Sequence, residues 1–217
     1  MVKNIKYPVV YSYKKSRTRE LELSIESLKN IKEWDGRIFI IGDKPDLIAD
    51  YIHIPIKYSW GKESNVKSND EICAYLTASD FLDYFIIMAD DIYVLKKLKI
   101  EYFNRGTLDD HAASRHTNDS YIRQLIATKE YLKSNGKTNY SFEMHVPFLA
   151  NSAQLKEMFA IAKESSPLFI RSLIGNWYGL KSKLSIDPKN KPITDNTVIY
   201  SSSDNTFNYD KVRKYLK

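Results

Sequence analysis

The chain has 217 residues, of which 43% are hydrophobic and 13% aromatic. This length suffices for one domain with its own core, and charges of both signs spread along the chain exclude a disordered or fibrous protein. The formal net charge of +6 and the isoelectric point near 9.1 favour a polyanionic partner but do not identify it.

The N-terminal stretch MVKNIKYPVVYSYKK lacks the apolar core of a signal peptide. The longest apolar runs are far shorter than the ~20 residues that span a bilayer. We therefore expect a soluble, cytoplasmic protein with no transmembrane segment. The single cysteine, Cys73, lies in a helix-like run beside Ile72 and Leu76, which predicts a buried structural thiol. The sequence does not indicate an oligomeric state.

Strand-like and helix-like patterns alternate over the first part of the chain. Strands are predicted at residues 7–13, 37–41, 51–56 and 84–88, and helices at residues 17–31 and 70–80, the latter capped by Ser68 or Asn69. Further helices are expected at residues 120–133 and 152–164. The third strand contains a proline and should lie at an edge. This alternation predicts an α/β fold with a mainly parallel central sheet flanked by helices, and a ligand crevice at the carboxyl ends of the strands.

Polar residues follow three of the predicted strands. They are Ser12, the pair Gly42 and Asp43, and the pair Asp90 and Asp91. Because the carboxyl ends of parallel strands meet at one edge of a sheet, we expect all three groups to line the same crevice.

Asp90 and Asp91 follow a run of apolar residues in FIIMADDIYVL. Adjacent carboxylates beside a core are costly unless a cation or hydrogen bonds compensate them. Mg²⁺ or Mn²⁺ prefers carboxylate oxygens and keeps sites for diphosphate oxygens and water. The pair therefore predicts a divalent metal that binds the diphosphate of a nucleotide sugar. The alternative is a turn-forming aspartate pair at a strand end.

Three segments resemble, in the same order, parts of the glycosyltransferases of the GT-A type: VVYSYKKSRTRELELSIESL, IFIIGDKPD with its following HIP, and FIIMADDIYVL. The later FEMHVPFLAN resembles the HxP segment of Stealth-type polysaccharide sugar-phosphate transferases and of related phage-encoded glycosyltransferases. The resemblance implies a single GT-A (Rossmann-like) domain over residues 1–217. Residues 1–100 would be its nucleotide-sugar-binding half, and residues 101–217 its acceptor-binding and closing half.

The resemblance also implies roles for individual residues. The nucleotide-sugar-binding set is Ser12, Arg17, Asp43, Asn65, Lys67 and Asp90, of which Asn65 and Lys67, like Lys62, lie in the polar loop SWGKESNVKSND. The metal-binding set is Asp90, Asp91 and His145, and the catalytic set is Asp90, Asp91, Glu143 and His145. The alternatives are that the loop SWGKESNVKSND is simply solvated and that His145 is a structural histidine.

Glu143 and His145 alternate in FEMHVP, which places them on one face if the segment is extended. With His145 on the donor side as a metal or phosphate ligand, Glu143 would be the base that takes the acceptor's proton. The next candidates for this base are Asp109, Asp110 and Asp187.

The remaining histidines are less informative. His53 precedes a strand-ending Ile-Pro and is expected to be structural. His111 and His116 flank the polar loop DDHAASRHTNDS, which we expect to approach the acceptor. Their spacing does not by itself make a zinc site.

These features predict a metal-dependent glycosyltransferase that moves a sugar from a nucleotide-diphosphate donor, with a UDP-sugar as first choice, to a hydroxyl acceptor. The acceptor is a surface glycan or hydroxymethylated phage DNA. One alternative is a sugar-1-phosphate transferase of the Stealth type. Another is a non-catalytic nucleic-acid-binding module, which the positive charge, the sixteen tyrosines and the C-terminal KVRKYLK favour. A nucleotidyltransferase ranks lower because the chain has no glycine-rich phosphate loop.

Overall fold

A computed structural model of the protein describes residues 5–14, 18–47, 49–56, 64–115, 120–165, 168–203 and 205–216, with side chains for all of these except 64–70 and 163–165. The strands in these ranges are β1 (Tyr7–Tyr13), β2 (Trp34–Gly42), β3 (Ile52–Ile54), β4 (Tyr84–Met88), β5 (Ile92–Val94), β6 (Tyr102–Asn104), β7 (Phe148–Asn151), β8 (Ser182–Leu184) and β9 (Ile199–Ser201). The helices are α1 (Thr18–Ser27), which a 3₁₀ turn at Leu28–Asn30 follows, α2 (Ser64–Ala78), α3 (Leu108–Ala113), α4 (Ser120–Ser134), α5 (Ser152–Ser165), α6 (Ile170–Trp177) and α7 (Tyr209–Tyr215).

Five strands form the central sheet, in the order β3-β2-β1-β4-β7. β1 pairs in parallel with β2 on one side and with β4 on the other, and β2 pairs in parallel with β3. β7 runs antiparallel to β4. The predicted α/β fold with a mainly parallel sheet is therefore confirmed, as is the edge position of the third strand.

Side chains of the central strands alternate between two cores, as the pleat of a strand requires. Val10 and Ile87 face one core, which α2, α4, α5 and α6 cover, whereas Val9 and Ile86 face the other, which α1 covers. Burial on both faces explains why these strands are nearly continuous apolar runs in the sequence.

The observed bounds agree with the sequence predictions where the apolar patterns are strongest. β1 and β4 have the predicted bounds, and α4 and α5 end one residue later than predicted. β2 begins earlier than predicted, at Trp34, and includes the expected turn residue Gly36, whose φ is 94°.

α2 begins at Ser64, so the predicted caps Ser68 and Asn69 lie within the helix. Asn65 and Lys67, which the sequence places in a loop, belong to its beginning. Residues 62–78 contain no glycine or proline, so no strong breaker delays the start of the helix.

Cys73 is exposed, and the prediction of a buried thiol was wrong. Its neighbours Ile72 and Ala74 are buried, as are Tyr75 and Ala78. The buried face of α2 runs through those four positions, and the helical rotation turns Cys73 away from the sheet.

The chain beyond β4 contains several elements that the sequence patterns did not predict. The short strands pair across long sequence distances, β5 with β9 and β6 with β8, and the short helices α3, α6 and α7 lie between or after them. Among the described residues, no helix has the length and apolar character needed to cross a membrane.

Ser24 in α1 ties this helix to the turn that carries the aspartate pair. Its hydroxyl lies 2.7 Å from the carbonyl oxygen of Ile92 and 3.1 Å from that of Ala89. The hydroxyl of Tyr11 in β1 lies 2.9 Å from the same oxygen of Ser24. Carbonyl oxygens only accept, so the Ser24 hydroxyl donates to them, and the Tyr11 phenol, whose pKa burial raises above its usual range, donates to Ser24. The single proton of the Ser24 hydroxyl is thus shared between the two carbonyls that flank the aspartate pair, of which that of Ile92 is nearer.

Ser24→Ala should destabilise the protein, because it leaves the buried Tyr11 hydroxyl and the turn carbonyls without their partner. We expect the free energy of unfolding, measured by urea denaturation, to fall by about 1–3 kcal/mol. Thr77→Ala is the control, since the hydroxyl of the half-buried Thr77 donates to the Cys73 carbonyl within its own helix, and it should change the free energy by less than about 0.5 kcal/mol. Equal effects of the two substitutions would show that Ser24 does not anchor the turn.

Candidate active site

The strand order of the central sheet creates a topological switch point. From β1 the chain moves outward through β2 and β3, and it then returns to place β4 on the other side of β1. The connections that leave β1 and β4 therefore run in opposite directions, the topology that in open α/β sheets forms a crevice at the carboxyl ends of the two strands. Open α/β sheets bind their ligands at such crevices. Asp90 and Asp91 directly follow β4 at this position, after Ala89.

Asp90 and Asp91 are the central residues of a turn in which the Ile92 amide donates to the Ala89 carbonyl at 3.2 Å. Asp91 is only 6% exposed, whereas Asp90 is half-buried. The turn that the sequence offers as an alternative is therefore present. A turn alone does not compensate a buried carboxylate, which needs a cation or hydrogen-bond donors.

His145 reaches this crevice from the second half of the chain. β7 runs antiparallel to β4 with Phe148 opposite Ile87, so the residues before Phe148 lie near the carboxyl end of β4. The segment is not the extended strand that its alternation suggested. The Met144 amide donates to the Phe142 carbonyl at 2.9 Å, and the chain bends at His145.

Lys189 joins Asp91 to His145. Its ammonium lies 3.5 Å from Asp91 Oδ2 and 3.0 Å from His145 Nε2. On the other side of the ring, His145 Nδ1 lies 3.0 Å from Asp187 Oδ2, which also accepts from Arg105 Nη1 at 3.3 Å. An ammonium only donates, so His145 Nε2 accepts from Lys189 and the ring proton on Nδ1 is donated to Asp187.

Strand pairing explains how Lys189 reaches Asp91. β5 begins directly after Asp91 and pairs with β9, and the loop before β9 folds back on that strand. Lys189 forms a bridge with Ser201, and the Asn190 amide donates to the Ser201 carbonyl at 2.7 Å. The Ser202 amide in turn donates to the Asp91 carbonyl at 3.1 Å. Backbone hydrogen bonds thus link the loop of Lys189 to the aspartate turn.

The carboxylate of Asp187 holds the loop of Lys189 through hydrogen bonds to backbone amides. Besides the His145 ring, its carboxylate accepts the backbone amides of His145 at 3.3 Å and of Lys189 at 3.2 Å. Burial alone would raise the pKa of Asp187, but the interactions with His145 and the amide of Lys189 outweigh burial and lower the pKa to about 2. Asp187 is therefore ionised at neutral pH and orients the imidazole.

Glu143 contacts the start of α6. The N-cap residue Phe169 supplies no side-chain hydrogen bond to this helix. Instead, Glu143 Oε1 accepts from the amide and from the hydroxyl of Ser172, both at 3.0 Å. Burial raises the pKa of Glu143, against the opposing effects of the Arg171 charge and the Ser172 hydrogen bonds. These contacts give Glu143 a capping function, and its role as the acceptor's base stays a prediction.

Ser12 and Asp43 lie at the same edge of the sheet as the aspartate pair. Ser12 is the next-to-last residue of β1, within the strand rather than after it, and is opposite Ile41. The Asp43 amide donates to the Tyr13 carbonyl at 3.0 Å, which holds the loop after β2 against the end of β1. The structure thus places the three polar groups together as expected, while their contacts with a nucleotide stay predictions.

Several predicted positions fall outside the described part of the chain. Arg17, Lys62 and His116 are not among the described residues, and for Asn65 and Lys67 only the backbone in α2 is described. Their assignment to donor or acceptor binding stays a prediction.

His53 and His111 both have structural partners. His53 Nε2 lies 3.0 Å from the Gly42 carbonyl, in agreement with the expected structural role. His111 belongs to α3, is 2% exposed, and has Nδ1 2.8 Å from the Ser141 hydroxyl. Burial, together with the charges of two nearby arginines, lowers the pKa of His111 to about 4. At His111 the structure thus has a buried helix residue where the sequence suggested the border of a loop, and the approach of that loop to an acceptor stays a prediction.

The three further candidates for the base that takes the acceptor's proton have different partners in the structure. Asp109 forms an ion pair with Lys129 at 3.0 Å. Asp110 forms a capping box with Thr107 at the start of α3. Asp187 is the candidate that contacts His145 at the crevice.

Sequence reasoning missed Lys189 and Arg105. Lys189 is 98 positions from Asp91, and Arg105 is 82 positions from Asp187, so no local spacing relates the partners. The one local signal is the dipeptide of Asp187 and Pro188, which is typical of a turn.

The side chains at Asp91 do not match the predicted divalent site. Within the ranges that the structure describes, no three His, Cys, Asp or Glu side chains converge so that they could hold a metal. Asp91 and His145, two of the three predicted ligands, instead share the ammonium of Lys189. A divalent ion bound to both would have to displace this ammonium, because like charges repel strongly at contact distance. Metal binding by Asp90, Asp91 and His145 stays a prediction that this arrangement does not fit.

Comparison with known proteins assigns no family. No protein-family model matches the chain, and no curated protein matches it. Among solved structures, the chain is similar to the apo form of the glycosyltransferase GlyE of Streptococcus pneumoniae TIGR4, with 11% identity and a TM-score of 0.48, over 97% of this chain and 60% of that one. A second GlyE structure from the same organism gives 14% identity and a TM-score of 0.39, over 93% and 46%. The chain thus spans about half the length of these structures, and likeness at this level establishes neither family nor activity.

Asp187→Asn should remove a pH-dependent contribution to stability. A carboxyl whose folded pKa is about 2, against the ordinary 3.8, stabilises the native state above its ordinary pKa and loses that contribution as the pH falls through the folded value. The shift corresponds to about 2 kcal/mol. In urea denaturation, the wild type should exceed the variant by about this amount at neutral pH, and the gap should close between about pH 4 and about pH 2. The exposed Asp83, changed to Asn, is the control and should show no such trend; a pH-independent gap for Asp187→Asn would contradict the assignment.

Glu143→Gln should test the raised pKa of Glu143. An acid whose folded pKa is raised loses stability as the pH rises from its ordinary value of 4.5 through the folded value, because the unfolded chain ionises more readily. Glutamine keeps an oxygen for the Ser172 donors but does not ionise. The melting temperature of the variant minus that of the wild type should therefore become more positive from about pH 4 to about pH 8. Glu22→Gln, at an exposed position of α1, should show a flat difference, and a flat difference for Glu143→Gln as well would overturn the prediction.

Proposed function

We propose that the protein is a glycosyltransferase that moves a sugar from a nucleoside-diphosphate donor to a hydroxyl acceptor. The observation that supports this best is the position of the buried Asp91, with its partners Lys189 and His145, at the carboxyl ends of β1 and β4. A switch-point crevice of this kind suits a nucleotide, and its polar groups converge as they do in small-molecule sites. The order of the sequence motifs supports the same assignment.

The proposed transfer exchanges one bond at the anomeric carbon of the sugar for another. The bond from this carbon to the phosphate oxygen breaks, and the nucleoside diphosphate leaves with the electron pair. The acceptor's hydroxyl oxygen forms the new bond to the carbon, and its proton passes to a base. Because negative charge develops on the leaving diphosphate, a cation fixed at that position stabilises the transition state more than the ground state. Lys189 places such a charge beside Asp91.

The edge of the sheet offers two regions for the donor. Ser12 and Asp43 lie at the ends of β1 and β2, where a base or ribose would bind, and the diphosphate and sugar would then extend toward Asp90 and Asp91 after β4. A UDP-sugar is the first donor to test. A surface glycan and hydroxymethylated DNA are the two acceptors, and the net charge of +6 suits an anionic form of either.

The alternatives differ in their products. A sugar-1-phosphate transferase of the Stealth type releases a nucleoside monophosphate, whereas glycosyl transfer releases a nucleoside diphosphate. A nucleic-acid-binding module releases neither. Binding to a polyanion uses exposed basic surface and gives no reason for a buried carboxylate at the switch point.

Asp91→Asn should abolish donor turnover without unfolding the protein. Asparagine keeps the shape of the side chain but no longer balances the Lys189 charge, so the cation loses its fixed position. We expect release of nucleoside diphosphate from UDP-sugars, measured with glycan or hydroxymethylated duplex DNA as acceptor, to fall by about 100-fold or more.

Asp83→Asn provides a matched control for this experiment. Asp83 is exposed and directly precedes β4, so it lies at the amino end of this strand, whereas Asp91 lies beyond its carboxyl end. Its substitution should leave turnover unchanged. Equal turnover in the wild type and Asp91→Asn would remove the assignment of the site. Release of a monophosphate would favour sugar-phosphate transfer, and no release from UDP-, GDP- or dTDP-sugars would reject the proposed function.

A further inference from the structure

We infer that the ammonium of Lys189 takes the place of a divalent cation at this site, so that it binds the donor's diphosphate directly and transfer needs no added metal. This inference rests on the proposed function and specifies how the diphosphate is held. It comes from one juxtaposition: a single ammonium lies between Asp91 and His145, two of the side chains that the sequence predicts as metal ligands.

The ammonium of Lys189 is held in place before any ligand arrives. Asp91 Oδ2 attracts it from one side at 3.5 Å, and His145 Nε2 accepts from it at 3.0 Å. The backbone of Lys189 is fixed as well, because its amide donates to Asp187 Oδ1 at 3.2 Å and the residue bridges Ser201 next to the aspartate turn. A cation held in this way needs little reorganisation when a charged ligand binds, which is the condition for effective electrostatic stabilisation.

The ammonium also has capacity for a ligand. An ammonium carries three N–H donors, one more than its contacts with Asp91 and His145 use. The Lys189 side chain is 34% exposed, whereas that of Asp91 is 9% exposed. The lysine is therefore the member of this pair that can contact an incoming phosphate oxygen, with the carboxylate behind it as its counter-charge.

The two carboxylates in contact with Lys189 and His145 already have cationic partners without a metal. Lys189 faces Asp91, and Arg105 faces Asp187 at 3.3 Å, so each carboxylate has a cationic partner. A dication between Asp91 and His145 would occupy the volume of the ammonium and would be repelled by it. The same charges favour a diphosphate, which brings negative charge to a site where a lysine is available as a phosphate ligand.

Calorimetric titration with UDP tests the inference. Binding is measured in EDTA and in Mn²⁺ for the wild type, for Lys189→Met and for Lys191→Met, at an exposed lysine two residues on. Methionine removes the charge and keeps all but the last atom of the lysine side-chain length. We expect the wild type and Lys191→Met to bind UDP equally in EDTA and in Mn²⁺. Lys189→Met should bind about 10- to 100-fold more weakly in EDTA, the range for loss of a charge-assisted hydrogen bond. Lys189→Arg should recover part of this loss.

The outcomes separate this inference from the proposed function. Wild-type binding that requires Mn²⁺ and disappears in EDTA would overturn the role of Lys189 and support the metal site that the sequence predicts, with the proposed function intact. Metal-independent binding that Lys189→Met does not weaken would also overturn it. No binding of UDP, GDP or dTDP by the wild type in either condition would reject both. Thermal unfolding of Lys189→Met near the wild-type temperature confirms that the variant is folded.

Discussion

The burial of the Asp91 carboxylate is the constraint on which the rest of this site depends. At 6% exposure, Asp91 cannot rely on water for the solvation of its charge, and the structure must supply a cation or donors. Lys189 supplies the cation, and its ammonium lies 3.5 Å from the Asp91 carboxylate. Further contacts hold the ammonium at this position. His145 accepts from the ammonium, Asp187 accepts from His145, and Arg105 donates to Asp187. Asp91 thus belongs to a network of five side chains from four separate segments.

The backbone of the aspartate turn is fixed independently of its side chains. Ser24 contacts the carbonyls of Ala89 and Ile92 from the α1 side, and Ser202 donates to the Asp91 carbonyl from the β9 side. The turn therefore has buried hydrogen bonds on both sides, and its position does not rely on the ion pair with Lys189. The charge at Asp91 can therefore be changed while the backbone of the turn keeps its conformation. A rigid backbone of this kind suits a site in which charged side chains act on a ligand.

The sequence predicted the parts of the fold that local patterns determine. The buried strands β1 and β4 are apolar runs of adequate length, and the alternation of strands with helices implied the parallel sheet and the edge at which Asp43, Asp90 and Asp91 meet. The motif FEMHVP predicted a functional role for His145, which stays a prediction, and the pairing of β7 with β4 places this residue near that edge. Lys189 could not be found in this way, because only the long-range pairing of β5 with β9 brings it to Asp91. Cys73 shows a smaller failure of the same kind, since an apolar neighbourhood in sequence did not reveal which face of α2 it occupies.

The pairing of β5 with β9 also has a consequence for the order in which the molecule is built. During synthesis, all four parallel strands of the sheet have been made once the chain reaches Met88, and the fifth strand is complete at Asn151. The cation for Asp91 arrives only with Lys189, and the strand that secures its loop ends at Ser201. In chain order, the four parallel strands thus precede Lys189 by about half the chain. A chain that ends after Asn151 therefore contains all five strands of the sheet while Asp91 still lacks its counter-charge, which only the segment from Lys189 to Ser201 supplies.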